Sequence, residues 1–325
     1  MPVQTSPLHF LGEGSQVVKW RRLMRELVEC VPNFSTSDPG TVKEILDAIT
    51  SVKGVFLLDR SYDDYYNRLV VTVAGQGEAL VQAMLQGAVK AVELIDMRKH
   101  KGQHPRLGAV DVVPFVPIMK ATMESCSELA KSFGKEFSAR CDVPVYLYGE
   151  SASSPERRDI DWIREGEFEG LEARISRPDR KPDFGPAQAH PTAGATITGA
   201  RKVMVGFNVN LATRDLNTGK KIARTLHEKK GGLVGVRAMA AEISQLGMIQ
   251  IGMSVYDYTG TPLYRIYELL KLEAQRHNVA IVSSEFNGMP PLEAVLDIAN
   301  YYLRLTNLNE DRIIEMAICK KLQAE

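Results

Sequence analysis

The 325 residues carry 40 lysines and arginines against 40 aspartates and glutamates. That balance offers no general surface to nucleic acid or acidic lipid. No run of about 18 apolar residues is present to span a membrane, and the length suits one large domain or two ordinary ones.

Residues 1–23 lack the roughly 7–15-residue apolar core and small-residue cleavage site of a signal peptide. They read as an extension ahead of a folded unit that starts at Met24. "LVECVPNF" then reads as a strand. "DPGTVKEILDAITS" reads as a helix whose Asp-Pro start precedes Val42, Ile45, Leu46 and Ile49 on one face. "VFLLD" and "NRLVVTVAG" are strands joined by the polar, aromatic "RSYDDYY", and "GEALVQAMLQGAVKAVELI" is a long helix. After "KHKGQHPRLG" come the strand "AVDVVPFVPI", the helix "TMESCSELAKSFGKEFSARC" and the strand "VPVYLYGE". Residues 151–200 lose periodicity and collect Pro, Gly, Ser and Arg, so they read as a linker or a binding loop.

The pattern then starts over. "RKVMVGFNVNL" is a strand, "NTGKKIARTLHEKK" a helix, and "GVRAMAAEI" and "MIQIGMSVYD" are strands. The helix "PLYRIYELLKLEAQRHN", the strand "VAIVSSEF" and one closing helix complete it. Both halves follow the order β-α-β-β-α-β, the split βαβ plan. The expected class is α+β, with two ferredoxin-like subdomains at 24–200 and 201–325. Each sheet would carry helices on one face, and the free faces would meet across a substrate crevice.

Polar groups at the strand ends suit such a crevice. Asn33, Asp59, Asn67 and Arg68 close or open strands of the first half. Asn208 and Asn210 share one side of their strand, and Gln250 interrupts an apolar one. Singly, each amide can be explained by a local backbone bond; together they line a cleft for a ligand with several hydrogen-bonding groups.

"KHKGQHPRLGAVDVVPF" places His100 and His104 four apart, but Gly102 and Pro105 disfavour a helix that would pair them on a metal. His104 precedes a proline and is biased to extended backbone. An imidazole suits proton transfer near neutrality, and Lys99, Lys101 and Arg106 beside it favour the neutral form. Asp111 needs a partner if buried, and an imidazole N–H or a loop cation can supply one. A plain solvated loop is the competing reading. No metal site is expected. Cys30, Cys126, Cys141 and Cys319 have neither zinc spacing nor disulfide density, which points to reduced, mostly buried thiols in a cytoplasmic protein.

In order along the chain, "LVECVPNFS", "LIDMRKHKGQHPRLGAVDVVPFVP", "VPVYLYGE", "PDFGP", "GATITGARK" and "FNVNL" closely resemble the glutamate formimidoyltransferase family, from about Leu27 to about Leu305. The family is also the first module of formimidoyltransferase-cyclodeaminase. The resemblance implies transfer of the formimidoyl group of N-formimidoyl-L-glutamate to N5 of tetrahydrofolate, a co-substrate, in histidine degradation. His104 would then be the general acid-base, with Asp111 orienting it. The matching folate loop is Gly185, Pro186, Ala187, Gln188, Ala189, His190, Pro191, Thr192, Ala193 and Gly194. Arg68, Lys99, Lys101 and Arg106 become candidates for the carboxylates of formimidoylglutamate or of the folate tail. Homodimers are common in the family, and neither nucleic acid nor membrane is an expected partner. No cyclodeaminase module follows, so a separate cyclodeaminase would act downstream. After the first strand the family usually reads serine, glutamate, glycine, so this chain keeps Ser35 and departs at Thr36 and Ser37; further departures fall at Ser61, Ala193 and Ser254. Two alternatives stay open: formyl transfer between 5-formyltetrahydrofolate and glutamate, and a folate-binding paralogue without catalysis.

Overall fold

A computed structural model describes residues 26–243 and 246–324, and the extension read at 1–23 lies outside them. The first half opens with β1 (Val28–Cys30) and β2 (Asn33–Phe34), which both lie between the same two neighbours. They are one expected strand, interrupted where Pro32 has no N–H to give a ladder. α1 (Pro39–Thr50) starts at Asp38, whose carboxylate accepts the Thr41 N–H at 2.7 Å and so satisfies an orphan donor. Its Val42, Ile45, Leu46 and Ile49 are buried, as their spacing predicts.

β3 (Val55–Asp63) is longer than "VFLLD", because Arg60 to Asp63 stay paired with β4 (Arg68–Gly75). Only residues 64–67 turn, with Asn67 at φ +47°. α2 (Gly77–Leu94) and β5 (Val110–Pro117) follow, giving the order β3-β4-β1/β2-β5, antiparallel throughout. α3 (Met123–Cys141), capped by Thr122 and Ser125, leads to β6 (Val145–Gly149). The buried rings of Phe133 and Phe137 stack at 5.5 Å, anchoring α3 to the sheet. Truncating either ring to alanine would cost about 3–5 kcal/mol.

The stretch 151–200 is not the irregular loop its composition suggested. It holds α4 (Ile160–Arg164), α5 (Glu167–Ile175) and β7 (Thr196–Ala200), which inserts in parallel between β5 and β6. Short, charged helices bury too few residues to show a clear period. Ile163, Leu171 and Ile175 nevertheless pack with Leu107, Val112, Tyr146 and Ile197. That cluster covers part of the sheet face expected to be free.

The second half is β8 (Val205–Leu211), α6 (Leu216–Leu226), β9 (Val236–Ile243), β10 (Met248–Val255), α7 (Leu263–Arg276) and β11 (Ile281–Asn287). Its order, β11-β8-β10-β9, is antiparallel and is that of the split βαβ plan. Two helices, α8 (Leu292–Leu303) and α9 (Ile314–Ala324), close the chain where one was expected. On β8, Val205, Phe207, Val209 and Leu211 pack into the helix-side core, which turns Asn208 and Asn210 to the other face. The class is α+β with two such units. Among the described residues, no helix is long and apolar enough to cross a membrane.

Candidate functional site

The segment between α2 and β5 has no regular structure, so its shape comes from bonds to its surroundings. At its start the Met97 N–H donates to Thr192 O at 2.8 Å, and at its end the Ala109 N–H donates to Ala193 O at 2.9 Å. Ser35 Oγ donates to Gly108 O at 2.7 Å. A side chain at Gly108 would meet Ala193 O at 2.2 Å, so only glycine allows this approach. In the middle, Asn67 Nδ2 donates to Lys101 O at 2.9 Å, and the Gln103 N–H donates to Tyr65 O at 3.2 Å.

His100 is a structural member of the segment. Its Nε2 lies 2.9 Å from Asn67 O, while Nδ1 accepts from Arg106 Nε at 3.2 Å, which fixes a neutral ring protonated at Nε2. His104 differs. Its ring is partly exposed and hydrogen-bonds to no described residue. Burial first, then the positive charge of Arg68 and Arg164 and the neighbouring His100 and Arg106, brings its pKa down to about 2. The free protein therefore holds a neutral imidazole with both ring nitrogens unclaimed.

Asp111 is buried, but its partner is neither His104 nor a cation of its own segment. It pairs side-on with Arg164 at the end of α4, and its Oδ1 accepts the Leu107 N–H at 2.8 Å. The expected orientation of the imidazole by Asp111 is thus corrected: the carboxylate had to be neutralised where it lies, and α4 brings the charge.

Other expected ligand groups are already engaged. Arg106 is buried and gives its guanidinium to Glu167 at 2.5 Å and to Glu169 at 2.9 and 2.5 Å, besides His100, so it is not available to a substrate carboxylate. Asn67 is likewise spent: its Oδ1 accepts from Ser37 N and Oγ. Ser35 and the departure at Ser37 thus both hold the histidine segment. Arg68 is available on one side only, with Nη1 3.4 Å from Asn33 Oδ1, and Asn33 Nδ2 donates to Val31 O. Lys101 is exposed. Lys99 is also exposed, 3.7 Å from Asp96. Asp59 lies on the exposed edge strand β3 and accepts the Arg60 N–H.

In the 185–194 loop, residues 185–188 are exposed while Ala193 and Gly194 are buried. His190 and Gly194 exchange backbone bonds at 3.0 and 2.9 Å, and His190 Nδ1 accepts the N–H groups of Thr192 and Ala193. The same turn, through 192–194, brackets both ends of the histidine segment.

On the second sheet the expected amides meet. Gln250 Nε2 donates to Asn210 Oδ1 and to Glu285 Oε1, both at 3.0 Å. Asn208 Nδ2 reaches Glu285 at 3.3 Å, and Asn210 Nδ2 reaches Ser283 at 3.0 Å. Ser283, Glu285 and Arg164 were missed by sequence reasoning. Register alone could have offered Glu285, since it lies opposite Asn208. Nothing local marks Arg164, whose partner is 53 residues away. Among the described residues, no group of three or more His, Cys, Asp or Glu could hold a metal ion.

Residues 27–201 match the formiminotransferase domain, N-terminal subdomain, and residues 206–323 match the formiminotransferase domain. The chain is 44% identical over 302 residues to glutamate formimidoyltransferase of Thermoplasma acidophilum, covering 92% of this chain and 99% of that one. It is 38% identical to glutamate formimidoyltransferase of Streptococcus pyogenes serotype M1, over 88% of this chain and 96% of that one. Against formimidoyltransferase-cyclodeaminase of Rattus norvegicus the identity is 39%, over 91% of this chain but 56% of the larger protein.

Proposed function

The chain belongs to the formiminotransferase family, and from that premise we propose that it moves the formimidoyl group of N-formimidoyl-L-glutamate to N5 of tetrahydrofolate. It is a transferase. The observation that carries the mechanism is the neutral His104 ring, unclaimed by protein and ringed by cations. N5 attacks the amidine carbon, and a C–N bond forms as the N5 proton passes to the imidazole. The bond from that carbon to the glutamate nitrogen then breaks, and the imidazole returns the proton to the departing nitrogen. A positioned acid-base group contributes about 10²–10⁴-fold. Holding both substrates together supplies the orientation term.

An imidazole with a pKa of about 2 is a weak base until something offsets its neighbours. In this reading the glutamyl carboxylates do so. Placed against Arg68, they offset part of the positive charge that adds to burial in depressing His104 and bring it toward its working range. The substrate thus equips its own base. The exposed 185–188 stretch receives the folate, supported by its place beside the histidine segment.

Asn208, Asn210 and Gln250 serve the same crevice from the second subdomain. Support for an approach of the two halves comes from Asp159 and Asp161, which pair with Lys229 and Arg237. In this account the subdomains are 24–200 and 201–325, and the protein acts as a cytoplasmic homodimer in histidine degradation. A cyclodeaminase activity receives its product. Incubation with tetrahydrofolate and N-formimidoyl-L-glutamate, followed by mass spectrometry, tests the activity. Release of glutamate with stoichiometric 5-formimidoyltetrahydrofolate is expected; turnover with 5-formyltetrahydrofolate and glutamate alone would replace formimidoyl by formyl chemistry.

A further inference from the structure

We propose that Arg164 is a positioning residue for His104, and that it is itself set in place from the C-terminal half of the chain by Arg237 and Lys229. The inference rests on the reading of His104 as the acid-base group.

Arg164 ends α4, a helix of five residues. At the other end Asp159 caps the helix, accepting the Asp161 N–H at 3.1 Å. Both acids are gripped by the second half. Lys229 Nζ reaches Asp159 at 2.6 Å and Asp161 at 3.3 Å, while Arg237 reaches each of them at 2.7 Å. Arg237 also lies over the Tyr256 ring, 5.1 Å from its centroid, so its fork is oriented before it meets the acids. One short helix thus touches the second sheet with its first turn and the buried carboxylate of Asp111 with its last residue. At a rise of about 1.5 Å per residue, those two contacts are only about 7.5 Å apart along the axis.

The same segment holds the histidine segment from a second side. The Phe168 N–H donates to Arg106 O at 3.0 Å, and Glu167 and Glu169 clamp the Arg106 guanidinium that bonds His100. Residues 159–169 therefore reach β5 through Asp111, the histidine segment through Arg106, and the second half through the two acids. His104, by contrast, hydrogen-bonds to no described residue. Its charge state follows first from burial and then from the charges around it: Arg68 from β4, Arg164 from α4, and His100 and Arg106 from its own segment, with Asp111 on β5 paired to Arg164.

Stability alone does not account for the link between the halves. The four charged groups are partly exposed, where each ion pair contributes little. Ile163 already fastens α4 to the apolar cluster beneath it. What the network adds is geometry, making the surroundings of His104 depend on where the second half sits.

The test is a pH titration of the histidine rings by NMR on the whole, substrate-free protein, with His104→Ala identifying the His104 signal. Wild type should keep His104 neutral to below about pH 5. In Arg164→Gln one cation is lost and Asp111 is left unpaired, and both changes raise the midpoint, by about one unit or more. Arg164→Lys keeps the charge and should restore most of the shift. Lys229→Met/Arg237→Met should raise the midpoint by about half a unit, because α4 loses its outer anchor. Unchanged midpoints in Arg164→Gln and in the double variant would overturn the proposal. A shift in the first with none in the second would overturn the coupling between the halves. If Arg164→Gln does not fold, the double variant decides, and an unchanged midpoint there would overturn the proposal. A parallel turnover assay keeps the two readings apart: no formimidoyl transfer by wild type would remove the acid-base role while the titration still judged Arg164.

Discussion

Asp111 and Arg164 form a buried ion pair between β5 and α4, and the Leu107 N–H completes the carboxylate's bonding. The pair closes the far end of the segment that carries His104. Removing one partner of such a pair costs far more than the pair contributes over an apolar replacement, because the survivor stays buried and charged. Asp111→Ala should therefore destabilise the protein by roughly 3–5 kcal/mol in a denaturant titration. A loss below about 1 kcal/mol, the range of a surface pair, would contradict this placement.

Acid sensitivity follows from His104. Its folded pKa lies well below the ordinary 6.5, so the unfolded chain binds a proton that the folded chain refuses. The contribution is fully present above about pH 6.5 and is lost as pH falls toward the folded value. His100 and His190 are lowered too, chiefly by burial, and act in the same direction. Urea midpoints at pH 7 and pH 4.5 should differ less in His104→Gln than in wild type. Equal losses would show that the ring is not held neutral.

Ligand binding should move the same group. Added glutamate, a dicarboxylate product, should raise the His104 midpoint by partly neutralising Arg68, whereas an equal concentration of chloride should not. NMR titration with and without glutamate checks this. A midpoint indifferent to glutamate would contradict the account in which substrate activates its own base.

Gly108→Ala tests the junction between the two loops. Its methyl group would meet Ala193 O at 2.2 Å and Ala195 O at 2.3 Å, both backbone atoms that cannot swing away. The 192–195 turn must shift, so tetrahydrofolate affinity should fall by about tenfold, equivalent to about 1.4 kcal/mol. Calorimetric titration measures it. Unchanged affinity would separate the folate from the 185–194 loop.

How much of this was legible in the sequence depended on reach. Helix faces such as Val42, Ile45, Leu46 and Ile49 announce themselves within one turn, and the β-α-β-β-α-β order follows from them. Asn208 and Asn210 were found because strand alternation puts them on one face, and Gln250 because it interrupts an apolar strand; the structure joins Gln250 to Asn210 directly and to Asn208 through Glu285. Arg106 was misjudged, since a cation in a loop looks free until Glu167 and Glu169 arrive from 61 and 63 residues away. Arg164 was invisible for the same reason. Short helices in 151–200 escaped because their apolar spacing is broken by the charges that make them useful.

The central claim is that His104 moves the proton while other groups bind the substrates. Single turnover of enzyme-bound tetrahydrofolate and N-formimidoyl-L-glutamate, compared between wild type and His104→Ala with affinities measured in parallel, tests it most directly. The account predicts that the variant binds both substrates within about threefold of wild type, a difference of under 1 kcal/mol, and transfers the group at least about 10²-fold more slowly. Transfer at the wild-type rate, or loss of folate binding in a folded His104→Ala protein, would contradict it.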